Sequence, residues 1–238
     1  MKKKWIIALV FSTILLPQAI IAQTVKRGVA EAAIGSDLNS ALPGDVVYMY
    51  PEFQNGTILF ADRSTSEGMV NLYLIGSQVH FIASTGDTLL MRDQDNARVL
   101  SIGRDTYIRH DRSWVRLLAV KGGLAIGIRS SVNIEQPKKT GAYGMEDVTS
   151  SITSVSALYD VPGASAQTVY LKSLQNIPYS VTHDALLYDG NKLHITNKRN
   201  FNKLFPGKKD LINSYIKENN LNLVKARDAL QLFNFLNL

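Results

Sequence analysis

Residues 104 to 116, RDTYIRHDRSWVR, set four arginines among Tyr107, His110 and Trp114. A guanidinium pairs with carboxylates through a planar fork and stacks on aromatic faces. Tyr107, Arg109, Trp114 and Arg116 are therefore the candidate ligand-binding set, suited to acidic groups or sugar rings. The same residues also fit a sheet face that stabilises itself through cross-strand ion and aromatic pairs. Both readings stand at this level.

Other reactive groups are scarce. There is no cysteine, which excludes thiol catalysis, a disulfide framework and a lipid-modified cysteine anchor. No serine sits in a Gly-x-Ser-x-Gly elbow. His183 and His194 flank a hairpin, and with Asp184 they make the start of a two-His, one-carboxylate set. No third independent ligand follows, so neither a metal nor a cofactor is expected. His80, between Val79 and Phe81, reads as the outward residue of a strand. Asp93-Gln94-Asp95-Asn96 opens like a calcium loop, but Arg98 stands where the turn glycine belongs, so the segment reads as an acidic turn. Gly122-Gly123 leads into a strand rather than a helix, which removes a phosphate cradle. A glycosidase would need Glu52, Glu67 or Asp111 to converge from distant positions, and no pair has a spacing that argues for it.

The elements that must position these groups are mostly strands. Ile126, Ile128, Ser130, Val132 and Ile134 alternate with polar or small residues, the mark of a half-buried strand. Similar runs cover 69 to 75, 78 to 82, 106 to 109, 114 to 120 and 185 to 196, the last broken by Asp189-Gly190-Asn191. Turn formers at Gly76-Ser77, Thr85-Gly86-Asp87, 110 to 113 and Gly122-Gly123 separate them. Tyr48, Tyr50 and Phe53 in YMYPEFQNGTILFADRS pack over the rim where the sheet begins, with Ile58 and Phe60 facing inward. Helical spacing appears only near the end. Leu211, Ile212, Tyr215 and Ile216 follow Pro206 as a first-turn residue, Ala226, Ala229, Leu230, Phe233 and Leu236 form a second stripe, and a shorter helix covers 199 to 205. The fold class is α+β: an antiparallel β-meander body with a small C-terminal helical subdomain.

The opening, MKKKWIIALVFSTILLPQAIIAQ, has the basic, apolar and small-residue order of a secretory signal peptide, with cleavage between Ala22 and Gln23. The division is then a signal peptide over 1 to 22, an N-terminal arm over 23 to 47, the β body over 48 to 196 with a Ser/Thr/Gly-rich segment at 140 to 168, and the helical subdomain over 197 to 238. Removing three signal lysines lowers the formal charge of +6 to +3. The charge is uneven: residues 23 to 189 carry 14 Lys and Arg against 17 Asp and Glu, whereas residues 190 to 238 carry nine against three. The basic excess belongs to the helical end, either as a solvated surface or as a patch for anionic envelope polymers.

The signal peptide, the VNLYLIGSQVHFIASTGDTLL hairpins, the RDTYIRH and SWVRLLAV pair, the GAYG step at 141 to 144 and the ending FNKLFPGKKDLINSYIKENNLNLVKARDALQLFNFLN together resemble a family of uncharacterised exported proteins of Bacteroidetes-type bacteria. The resemblance spans most of the mature chain and implies export without implying an activity. Asp87-Thr88-Leu89 is similar to the acceptor pattern for O-linked glycans on exported proteins of such bacteria, which makes Thr88 a modification candidate.

The expectation is a non-enzymatic envelope protein, periplasmic, outer-envelope or extracellular, that binds or scaffolds. Its partner would be an envelope protein or an anionic polysaccharide, with no nucleic acid and no transmembrane segment after cleavage. The rival classes are a polysaccharide or peptidoglycan hydrolase whose carboxylates meet only in three dimensions, and an outer-surface adhesin or antigen. The exported protein should begin at or near Gln23, and mass spectrometry of material from the native host reads this directly. Recovery of the full-length chain from membranes alone refutes the cleavage. The peptide over 82 to 92 in the same digest reports whether Thr88 carries a sugar, and a Thr88→Ala variant assigns it.

Overall fold

The computed structural model describes residues 25–32, 38–134 and 175–237, so the signal cleavage at Ala22 and Gln23 and the segment 140–168 lie outside the described residues. The alternating runs form eleven antiparallel strands: β1 (Lys26–Ala32), β2 (Gln54–Phe60), β3 (Thr65–Tyr73), β4 (Gln78–Ile82), β5 (Thr88–Leu90), β6 (Ala97–Ile102), β7 (Asp105–His110), β8 (Ser113–Lys121), β9 (Leu124–Ile134), β10 (Gln175–Tyr188) and β11 (Leu193–Ile195). They pair in the order β1-β10-β9-β8-β7-β6-β2-β3-β4-β5, with β11 beside β10. The body is thus an antiparallel meander, with β6 returning to β2 and β1 capping β10. Tight turns set the register. Gly122 and Gly123 both hold positive φ, the two-residue connection that matches the twist of β8 and β9.

β1 lies upstream of residue 48, where the sequence reading began the β body. Seven of its residues pair with β10, and Gly28 sits under the ring of Tyr179, where an added Cβ would meet the ring at 2.4 Å. Single-strand alternation could not reveal this partner, because β1 completes its pairing about 150 residues away. β6 was likewise unmarked, since Arg98 and Ser101 interrupt a short stripe.

The sheet curls strongly. β7 and β3 stand three places apart along the strand order, roughly 14 Å on a flat sheet. Yet Arg109 Nη1 donates to the Ser77 carbonyl at 2.9 Å and the Trp114 amide donates to Ser77 Oγ at 3.1 Å, so the β3–β4 turn folds onto the tip of β7 and β8. Register breaks at Leu59/Phe60 and Leu117/Ala119 mark bulges, which bend and twist strands. Ile58, Val70, Leu72, Val79, Leu100, Ile102, Tyr107 and Trp114 fill the curl.

Two helical covers close the remaining ladder. The short helices α1 (Leu38–Ala41) and α2 (Gly44–Val47) join Val132, Ile134, Ile177, Tyr179 and Val181 at one end of β9 and β10. At the other end Ile126 and Leu187 meet α3 (Lys198–Leu204), α4 (Lys209–Glu218) and α5 (Ala226–Leu236) through Phe201, Ile212, Leu232 and Phe233. Pro206 precedes α4 by a turn and is not its first-turn residue, because the Pro206-Gly207 turn separates α3 from Lys208, the N-cap of α4. Leu211 is 45% exposed while Ile212 is fully buried, so the inward stripe of α4 is Ile212, Tyr215 and Ile216. Leu230 is half-buried against the same cluster. Lys208 Nζ donates to the Leu236 carbonyl and so satisfies one orphan group at the end of α5. No described helix is long and apolar enough to cross a membrane.

His80 overturns its assignment as an outward residue. It is 3% exposed, stacks on Tyr73 with centroids 4.6 Å apart and lies 3.0 Å from Tyr48 Oη through Nδ1. The cause is the chain at 47–52, which continues the line of β2 along the edge of β3, bridges Tyr48 to Tyr73 and so sets the Tyr48 ring against His80. Met49 N donates to the Leu72 carbonyl, and the Asn71 side chain clasps the backbone of Tyr50 and Glu52. Periodicity gave two faces for β4, and this strap covers the second one.

Truncating Ile212 to Ala should cost about 2–5 kcal/mol in denaturant unfolding, against under about 0.5 for Leu211→Ala and about 1 for Lys208→Gln. Equal losses at 211 and 212 refute the packing. Burial lowers the His80 pKa from 6.5 to about 4, so the folded state holds the neutral ring while the unfolded chain takes up a proton below 6.5. Stability is therefore complete above pH 6.5 and falls as the pH drops towards 4, by up to about 3 kcal/mol. A His80→Phe variant should lose most of that slope in unfolding measured from pH 7 to 4.5. An unchanged slope would assign it elsewhere.

Candidate functional site

The register of β7 and β8 sets Tyr107 opposite Arg116 and Arg109 opposite Trp114, which brings all four predicted residues to one face. That face is the inside of the curl. Tyr107 and Trp114 are each 1% exposed, so neither ring can serve as a platform for a sugar. This corrects the stacking part of the reading: both rings are buried in the core with Ile58, Val70, Leu72 and Val79. Arg109 is also taken inward. Its guanidinium lies over the Trp114 ring at 5.2 Å, with exposed Asp95 3.9 Å away, and desolvation opposes its charge more than Asp95 supports it. Arg109 is a clasp between two hairpins.

Arg116 differs. Its side chain remains 23% exposed, and its Nη1 meets Asp105 Oδ2 at 3.4 Å, a long end-on contact that leaves most of the guanidinium fork unused. Asp105 is held more firmly from the other side, because Tyr50 Oη donates to the same Oδ2 at 2.6 Å. Tyr50 has a single proton and spends it there. Tyr107 Oη, also at 2.6 Å from Tyr50 Oη, must then donate to the Tyr50 oxygen. Burial, followed by the Asp105 carboxylate, pushes Tyr50 far above the usual phenol range, and burial pushes Tyr107 up to about 12. Both phenols stay protonated donors at ordinary pH.

Beyond Arg116 the same face continues onto β9 and β10. Arg116 pairs with Ile128, and the next inward residue of β9, Ser130, stands opposite His183 with Oγ 2.8 Å from Nδ1. Desolvation and then the nearby Arg116 charge lower the His183 pKa, with Asp184 opposing. The result is a polar seam of Tyr50, Asp105, Tyr107, Arg116, Ser130 and His183. It crosses four strands between the α1/α2 cover and the helical subdomain. Ser130 and His183 have a nucleophile and a base in reach, yet Ser130 is 7% exposed and no described carboxylate accepts from the far nitrogen of His183. The pair bonds two strands without the third member that would orient a base.

The sequence named Tyr107 and Arg116 of this set, placed Tyr50 on the rim and passed over Asp105, Ser130 and His183 as a group. One signal was present: Ser130 interrupts an otherwise aliphatic stripe on β9, and a polar residue on an inward face demands a partner.

The remaining candidates fall elsewhere. His194 Nε2 meets Asp189 Oδ2 at 2.7 Å in the β10–β11 turn, and this hydrogen bond with the Lys192 and Asn191 amides lowers the Asp189 pKa. His183 and His194 thus serve different partners, and among the described residues no three His, Asp or Glu side chains are grouped to hold a metal. Glu52, Glu67 and Asp111 are exposed on three separate elements, none in the seam. A surface cavity of about 300 Å³ lies between Asp62, Ser64, Asp93 and Asn96, with Phe60 and Ala61 as its apolar side. Its polar groups already bond one another, Ser64 to Asp62 and Asn96 to Asp93. Thr88 is exposed and opens β5 opposite Ile82, just past the turn.

No family model, no curated protein and no solved structure matches this chain.

Proposed function

We propose that this chain is an exported protein of the Bacteroidetes-type group named above, acting in the envelope or beyond by binding rather than by catalysis, with the polar seam as its ligand site. The observation that carries the reading is the half-open Arg116 and Asp105 pair. Asp105 is 33% exposed, and among the described residues most N–H groups of Arg116 have no acceptor, so both groups remain able to bond a ligand. Donors beside an acceptor suit a hydroxyl-rich ligand, since each glycan hydroxyl both donates and accepts. The phenols stay protonated and spend their protons holding Asp105 and each other in place, so they cannot act as bases, which favours recognition over proton transfer. Export rests on the opening 22 residues, with their basic, apolar and small-residue order.

Affinity purification of the tagged protein from its own envelope tests this. An Asp105→Asn/Arg116→Gln double variant keeps the charge balance and should hold its melting temperature within a few degrees. It should retain about tenfold less of the components captured by the unaltered chain. Equal capture removes the seam from the function. Cleavage of peptidoglycan or envelope polysaccharide by the purified protein would replace binding by hydrolysis.

A further inference from the structure

The body and the helical subdomain treat their cations differently. In the body Lys26, Arg109, Arg116 and Arg129 each stand within 4 Å of a carboxylate, and acids outnumber bases over residues 23 to 189. In residues 190 to 238 all nine basic side chains, Lys192 through Arg227, are exposed. Among the described residues none of them makes an ion pair, and only Lys208 has a side-chain hydrogen bond, to the backbone of α5. The three acids of this segment do not neutralise them: Asp210 and Glu218 are exposed, and Asp228 accepts from the Asn222 amide. Folding has buried the apolar stripes of α4 and α5 and left an uncompensated positive surface.

We propose that the outer surface of the helical subdomain is a docking surface for an acidic polysaccharide, a flexible chain with regularly spaced carboxylates. The choice of a glycan among polyanions rests on the export reading above. Seven of the nine cations are lysines, compact point charges on flexible stems that suit a mobile polyanion better than fixed bidentate recognition. One observation favours a glycan over an anionic lipid bilayer. The apolar faces that an interfacial helix would insert into lipid are already used: Ile212, Ala229, Leu232, Phe233 and Leu236 are buried in the subdomain core. The cations are also spread over α3, both ends of α4, the start of α5 and the β10–β11 turn, which a bending chain can follow.

The test is titration of the mature chain with polygalacturonate and with neutral dextran at about 50 and 200 mM salt. Polygalacturonate should bind, with affinity falling steeply as salt rises, and dextran should not. The Lys198→Gln/Arg199→Gln/Lys203→Gln/Lys209→Gln/Lys217→Gln variant should bind at least about tenfold more weakly, with a shallower salt dependence. Five equivalent changes on the body, at Arg27, Arg63, Arg92, Arg104 and Lys121, should alter affinity less than about twofold. Equal loss in both variants, no loss in the helical one, or no binding by the unaltered chain at low salt overturns the proposal. So does a preference for anionic phospholipid vesicles or duplex DNA at matched charge. The Asp105→Asn/Arg116→Gln variant should bind polygalacturonate normally, so failure of the seam and failure of this surface are read separately.

Discussion

The Ser77 turn is held against the tip of β7 and β8 by the Arg109 guanidinium and the Trp114 amide, and this closure decides what the rest of the sheet can do. A long antiparallel sheet left open would expose one apolar face along its whole length. Rolling it brings Val70, Leu72 and Val79 onto Leu100, Ile102, Tyr107 and Trp114, so one half of the sheet serves as the other half's cover. Arg109 is costly to desolvate, and its position over the indole face and against the Ser77 carbonyl offsets that cost. Without the roll Trp114 would be solvated and β4 and β5 would lose the surface they pack on.

At β9 and β10 the roll is supplemented by helices, although Tyr73, Leu74 and Ile75 still share one core with Val132, Ile134, Ile177 and Tyr179. α1 and α2 take one end and the C-terminal helices the other, leaving a short length of inward face between them. Polar residues survive in that gap because water or neighbouring donors can satisfy them. The Tyr50, Tyr107 and Asp105 chain is fully assigned in its donors, whereas Arg116 is not saturated. A guanidinium with spare donors beside a partly solvated carboxylate is a group whose bonding can be completed by something else.

Charge is divided along the same structural line. The body pairs several cations internally or within reach of its acids, while the helical subdomain stabilises itself through Phe201, Ile212, Leu232 and Phe233 and uses only Lys208 among its lysines, on the Leu236 carbonyl. Its fold does not require those charges. Their accumulation on one unit concentrates positive potential there more than the formal charge of +6 over 238 residues implies.

The sequence by itself determined the local elements. Period-two alternation and paired turn formers placed most strands of the meander, 3.6-residue spacing placed α3 to α5, and the charge count located the basic end. It did not identify β1, because a short strand is recognised chiefly by the partner it pairs with and β10 is distant, nor β6, whose apolar pattern Arg98 and Ser101 interrupt although β7 follows it directly. Alternation states which residues share a face and is silent on which face will be covered. Tyr107 and Trp114 therefore share a face that the curl of the sheet buries, and His80 lies on a face that Tyr48 and Tyr73 cover. The meeting of Tyr50 with Asp105, and of Arg116 with the Ser130 and His183 pair, was decided only by the tertiary structure. These contacts join residues up to 67 positions apart, as Arg116 and His183 are, and depend on the strand order and the curl, which are products of non-local packing rather than of any local pattern.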